Sequence, residues 1–132
     1  MVMESSAETY AIRGVAMRVH NKLGQGFSES VYQELMERLL AEADIPYERE
    51  KEMPIYVDGI KLKSTFRPDF VCYNSVIVEL KAVRELLREH EAQVINYLKV
   101  SGLHVGLLIN FGEESLVVRR YYRAESTDWT KP

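Results

Sequence analysis

Apolar residues recur every three or four positions from about residue 8 to 23, placing Ile12, Val15, Ala16, Val19 and Leu23 on one helical stripe. Gly24-Gln-Gly26 interrupts that period. It resumes at Ser28, a side chain suited to an N-cap, and runs to about Ala43 with Val31, Leu35, Leu39 and Leu40 expected inward. Asp44-Ile-Pro46 ends the second helix. From Tyr47 the period shortens to that of strands. Ile55-Tyr-Val57 and Ile60-Lys-Leu62 flank Asp58-Gly59, which predicts a hairpin on a type I′ turn. A further strand is expected from Phe66 to Tyr73, turning at Asn74-Ser75 and returning as Val76 to Lys81. Helical spacing returns over about 84–100, with Leu87, Val94 and Leu98 on one side and Ser101-Gly102 at its end. Two closing strands follow, His104 to Phe111 and Ser115 to Tyr122, around Gly112-Glu-Glu. Residues 124–132 read as a tail in which Trp129 is able to dock.

The order is therefore helix, helix, three strands, helix, two strands. A helix joining the third and fourth strands makes that pair parallel. The expected fold class is α/β (α+β), a mixed sheet flanked by helices. At 132 residues the chain is expected to form a single domain over 1–132, with a core of about 8–123.

Composition narrows this little: 46% hydrophobic and 28% charged residues are ordinary for a globular protein. No apolar run approaches the ~20 residues needed to cross a bilayer, so no membrane partner is expected. Residues 1–8 lack the basic and apolar regions of a signal peptide, and a cytoplasmic location is the default. A lone cysteine, Cys72, excludes an internal disulfide and a cysteine-rich zinc site. The net charge of −3 argues against coating nucleic acid by charge alone. It leaves open an enzyme that meets phosphates through a divalent cation.

The candidate chemistry lies between Arg67 and Lys81. Val76, Val78 and Leu80 share one face of their strand, and Ile77, Glu79 and Lys81 the other. A carboxylate and an ammonium thus share a face of a strand that reads as buried, where ionised groups are rarely left unless paired or metal-bound. The competing readings are plain ones. Asp69 after the rigid Pro68 suits a solvated turn, and Glu79 and Lys81 suit an edge strand guarded by charge. The Val-Ile-Val lead-in favours a central strand.

Pro68-Asp69, then Glu79-Leu80-Lys81 and the helix beyond, resemble the PD-(D/E)XK nuclease superfamily, with its restriction-endonuclease-like αβββαβ core. Here that core carries an extra N-terminal helix and a C-terminal strand. Gly26-Phe-Ser-Glu29-Ser-Val-Tyr32 is similar to the Gly-x-x-Glu-x-x-Tyr element of the GxxExxY family within that superfamily. The resemblance runs from about residue 8 to 123 and implies a Mg²⁺- or Mn²⁺-dependent hydrolase of phosphodiester bonds. Asp69 and Glu79 would be metal ligands, with the Leu80 carbonyl another and Glu29 joining the metal shell or holding a metal-bound water. Lys81 would orient the attacking water or stabilise the transition state, and Gln93, sharing a helix face with Tyr97, would support the site. The implied partner is nucleic acid, with DNA favoured over RNA.

Other residues read more simply. Glu29 also suits a helix first turn, where the dipole favours any carboxylate. Tyr32 and Gly26 read as structural, with the Tyr32 hydroxyl a candidate to bond the site. His20, His90 and His104 lack metal-ligand spacing and are taken as surface residues. Cys72 reads as a small core residue, and Arg119-Arg120-Tyr-Tyr-Arg123 as ordinary alternation in a terminal strand. Two alternatives stay open: a catalytically silent module of this fold that binds nucleic acid or protein, and a homodimer pairing through the edge at Ser115 to Tyr122.

Overall fold

The structure, a computed structural model, describes the backbone of residues 3–132 and the side chains from residue 7 onward. The expectation placed on residues 1–8 falls in part outside them. Two helices, α1 (Met3–Leu23) and α2 (Glu29–Glu42), precede five strands: β1 (Tyr47–Arg49), β2 (Met53–Val57), β3 (Ile60–Phe66), β4 (Phe70–Cys72) and β5 (Val76–Lys81). Helix α3 (Arg88–Ser101), β6 (Val105–Asn110), β7 (Val117–Tyr122) and one 3-10 turn (Glu125–Thr127) complete the order.

The main sheet runs β1-β4-β5-β6-β7, with β5 and β6 parallel and the other neighbours antiparallel. The α3 crossover accounts for the parallel pair. The predicted alternation of β5 holds. Val76, Val78 and Leu80 pack with Ile12, Val19, Met36 and Leu40 of α1 and α2, whereas Ile77 packs with Leu98 of α3 on the opposite face. The fold is thus a three-layer α/β arrangement in which β5 and β6 are buried on both sides.

Several expectations need correcting. The three strands expected before α3 are five. The predicted hairpin forms, with Asp58 and Gly59 both at positive φ as a type I′ turn requires, but β2 and β3 stand apart as their own two-stranded sheet. The strand expected from Phe66 to Tyr73 is broken at Arg67-Pro68-Asp69, because proline cannot donate to a ladder. In α2 the inward residues are Tyr32, Gln33, Met36, Leu39 and Leu40, and Val31 is exposed. Leu39 and Leu40 are inward as expected, and Leu35 is half-buried against the same core. Helix α3 starts late: Leu87 is its N-cap and is exposed. His20 is buried, stacked near Phe111 and bonded through Nε2 to the Glu113 carbonyl at 3.0 Å.

Candidate active site

Phe70 lies opposite Val78 and Cys72 opposite Val76 in the β4–β5 ladder. Continued by one and two residues, this register sets Asp69 opposite Glu79 and Pro68 opposite Leu80. Pro68 has no N–H, so the ladder cannot continue there. Asp69 takes over: its Oδ2 accepts from the Leu80 N–H at 2.8 Å, while its own N–H donates to Glu79 Oε1 at 2.8 Å. Each carboxylate is latched to the backbone of the other strand. In an antiparallel pair a residue turns its N–H and C=O towards the same neighbour. The Leu80 carbonyl therefore faces the Asp69 side too, where Pro68 has no N–H to give it.

Glu79 is buried, 5% exposed, and Asp69 is half-buried. Burial, opposed by the Leu80 N–H and reinforced by the charge of Glu29, pushes Asp69 up to about 6. Burial and then the Asp69 charge push Glu79 up to about 8. The charge of Lys81 acts the other way on both, favouring their ionised forms. Such paired shifts in opposed carboxylates are characteristic of functional sites.

Lys81 is the last residue of β5, and its position is fixed from β6. The Phe111 N–H donates to the Lys81 carbonyl at 2.8 Å. Fully buried Asn110 then mimics a strand partner, accepting from the Val83 N–H at 3.0 Å and donating to the Val83 carbonyl at 2.9 Å. A Cβ on Gly112 would collide with the Val83 backbone, so glycine permits this close approach.

Glu29 is the first residue of α2, with an exposed side chain. Its charge raises Asp69 and Glu79, yet it hydrogen-bonds neither. One turn on, Gln33 makes the contact that Glu29 does not: Nε2 donates to Asp69 Oδ1 at 3.2 Å. Gln93 bonds neither carboxylate. Its Nε2 donates to the Tyr97 hydroxyl at 3.1 Å, and the Tyr97 ring stacks on Phe66 with centroids 4.3 Å apart. Burial and then the Glu79 charge raise the Tyr97 phenol, so Gln93 meets the site through Tyr97. The Tyr32 hydroxyl does not reach the site. It donates to the Gly24 carbonyl at 2.6 Å, and its ring stacks on Phe111.

Sequence reasoning missed four residues. Gln33, Asn110, Arg49 and Glu50 belong to no motif and carried no expected role. The Glu50 N–H donates to the Asp69 carbonyl at 3.0 Å, and its charge also raises Asp69. The one available signal was Gln33 itself, an amide at a position that helical spacing puts on the face of Glu29.

Among the described residues no three His, Cys, Asp or Glu side chains converge as a ready metal cage. The donors that the β4–β5 register brings to one place are two carboxylates, with the Leu80 carbonyl turned to the same strand, all oxygen. That set suits a hard cation such as Mg²⁺, which keeps several waters and needs only one or two protein carboxylates. The raised carboxylates point the same way, since a cation would relieve their mutual repulsion.

No functionally curated protein matches the chain. Among solved structures, the crystal structure of SSO0001 aligns with 21% identity and a TM-score of 0.58, covering 71% of this chain and 50% of that one. The chain thus spans half the length of that protein, and the likeness concerns the fold. A crystal structure of an alkaline exonuclease (LHK-Exo) from Laribacter hongkongensis aligns with 10% identity and a TM-score of 0.49, over 84% of this chain and 77% of that one. The family model of the PD-(D/E)XK nuclease superfamily matches residues 6–121, a span that contains Asp69, Glu79 and Lys81 and every element from α2 to β6, and the chain belongs to that superfamily.

Proposed function

We propose that this chain is a divalent-metal-dependent nuclease, with Asp69 and Glu79 as metal ligands and Lys81 as the catalytic cation. The observation that carries the reading is the Asp69–Glu79 pair: a buried and a half-buried carboxylate set opposite each other, both raised, with a lysine charge acting on them. Purely structural carboxylates are seldom buried side by side, because neither can ionise without opposing the other.

A bound Mg²⁺ or Mn²⁺ would polarise the phosphoryl group and acidify an attacking water. The protein's own residues do the rest. Asp69 and Glu79 supply carboxylate oxygens, and the Leu80 carbonyl offers a third donor. Lys81 holds a positive charge where negative charge develops on the phosphate, or orients the water. Glu29, whose charge acts on both carboxylates, would join through an intervening water. Tyr97, held by Gln93, forms the α3 wall of the site. The substrate is a nucleic acid, DNA ahead of RNA. Gly26, Glu29 and Tyr32 support placement in the GxxExxY family, whose tyrosine here secures the turn into α2.

The test is cleavage of single- and double-stranded DNA and RNA by the purified protein with Mg²⁺ or Mn²⁺. Cleavage should vanish with chelator and with Asp69→Ala, and fall by roughly 10²–10⁴-fold in Lys81→Ala. Binding without cleavage, indifferent to metal and to Glu79→Ala, would instead identify a silent binding module.

A further inference from the structure

We infer that Gln33 is a positioning residue for Asp69, and that Arg49 is the clamp that fixes Gln33; the inference rests on the metal-site reading above. Gln33 is 8% exposed and bridges two groups of opposite character. Its Nε2 donates to Asp69 Oδ1 at 3.2 Å, and its Oε1 accepts from Arg49 Nη2 at 3.1 Å. A guanidinium can only donate and an ionised carboxylate can only accept. A primary amide between them is satisfied in one orientation alone, so Arg49 dictates that the NH₂ faces Asp69.

Arg49 is itself held. Its Nη1 donates to Glu37 Oε1 at 2.8 Å, and its Nε lies 3.4 Å from Glu50 Oε2. The other Glu37 oxygen accepts from the Tyr47 hydroxyl at 3.0 Å. The ion pair with Arg49 holds Glu37 below the usual carboxylate range. Tyr47 and Arg49 belong to β1, and Gln33 and Glu37 lie one turn apart on α2. The chain of bonds thus ties the sheet edge to the helix at one point, directly above Asp69.

The consequence for the site is geometric. With the Leu80 N–H on Oδ2 and Gln33 on Oδ1, the plane of the Asp69 carboxylate is set from two sides. Each oxygen keeps a lone pair for a cation. Partners of this kind orient the groups that hold a metal, and removing one typically lowers affinity about 10–100-fold. A glutamate at 33 would meet Asp69 as a second anion, and an apolar side chain would release both Asp69 and Arg49.

The experiment is Mn²⁺ titration, by calorimetry and by electron paramagnetic resonance, of the wild type, Gln33→Leu, Arg49→Met and the double variant. Gln33→Leu should weaken Mn²⁺ binding about tenfold or more and alter the resonance of the bound ion. Arg49→Met should weaken it by a smaller factor. In the double variant Arg49→Met should add nothing further to the loss of affinity, because it acts through Gln33, whereas its effect on thermal stability should persist. Additive affinity losses would overturn the clamp. Wild-type binding that Gln33→Leu leaves within about twofold would overturn the inference alone, with Arg49→Met deciding the matter if the Leu variant does not fold. A wild type that binds no Mn²⁺ overturns the metal-site reading and this inference with it.

Discussion

Glu79 and Asp69 carry folded-state pKa values of about 8 and about 6 against ordinary values of 4.5 and 3.8. Native carboxyls that hold protons more tightly than unfolded ones stabilise the fold fully at low pH. That contribution is lost as pH rises through about 6 and then about 8, because the native state then binds more protons than the unfolded one. Each pKa unit corresponds to about 1.4 kcal/mol. In metal-free protein, melting temperature should therefore fall between about pH 4 and pH 8 and level off above that, and Glu79→Gln should flatten the upper part of that decline. A divalent cation should reverse the trend, raising the melting temperature most at high pH, where both carboxylates are free to bind it. A metal-free melting curve with no such slope difference between wild type and Glu79→Gln would contradict the burial and repulsion assigned to this pair. Tyr32 behaves differently. Tyr32→Phe keeps the ring on Phe111 and removes the bond to the Gly24 carbonyl and the longer one from the Phe27 N–H, so it should cost about 1 kcal/mol and leave Mn²⁺ affinity unchanged.

The elements were legible where periodicity is strong, and the candidate site stood out where chemistry conflicts with it. Strand β5 showed both: apolar alternation marked the strand, and Glu79 with Lys81 stood out against it. What stayed hidden needed two elements to be seen together. Gln33 is unremarkable on α2 until β4 places Asp69 beside it, and Asn110 is an ordinary strand end until Val83 lies alongside. His20 was misjudged for the same reason, since its partners Phe111 and Glu113 lie far away in the chain. The loop after Lys81 gives the matching prediction. Asn110→Ala would strand the Val83 N–H and carbonyl, and Gly112→Ala would drive a methyl into the Val83 backbone. Each should destabilise by roughly 1–3 kcal/mol and displace Lys81 enough to lower cleavage. Circular dichroism melts and single-turnover assays would check both effects.

Across the whole molecule, the expected fold class holds, but the β2–β3 hairpin stands outside the main sheet. It packs through Met53, Ile55 and Phe66 against Leu98 and Val100 of α3, and Phe66 in turn meets Tyr97 at the wall of the site. No sequence pattern separates a hairpin that joins the sheet from one that does not, because pairing register depends on what the long-range core leaves open. The C-terminal residues hold the far end. The Trp129 N–H donates to the Lys99 carbonyl at 2.9 Å, its carbonyl accepts from the Gly59 N–H at 3.1 Å, and Lys99 lies over its ring. One residue of the expected tail therefore bridges the end of α3 and the hairpin turn. Asp128, bonded to Thr130 and near Arg123, steadies that bridge. Removing residues 124–132 should free the hairpin tip while leaving Asp69, Glu79 and their backbone latches in place. Amide exchange at Gly59 should accelerate strongly, whereas the Leu80 and Asp69 amides, donated to the opposing carboxylates, should stay protected. Uniform loss of protection would mean that the tail supports the whole core. Unchanged exchange at Gly59 would mean that the hairpin stands on α3 alone.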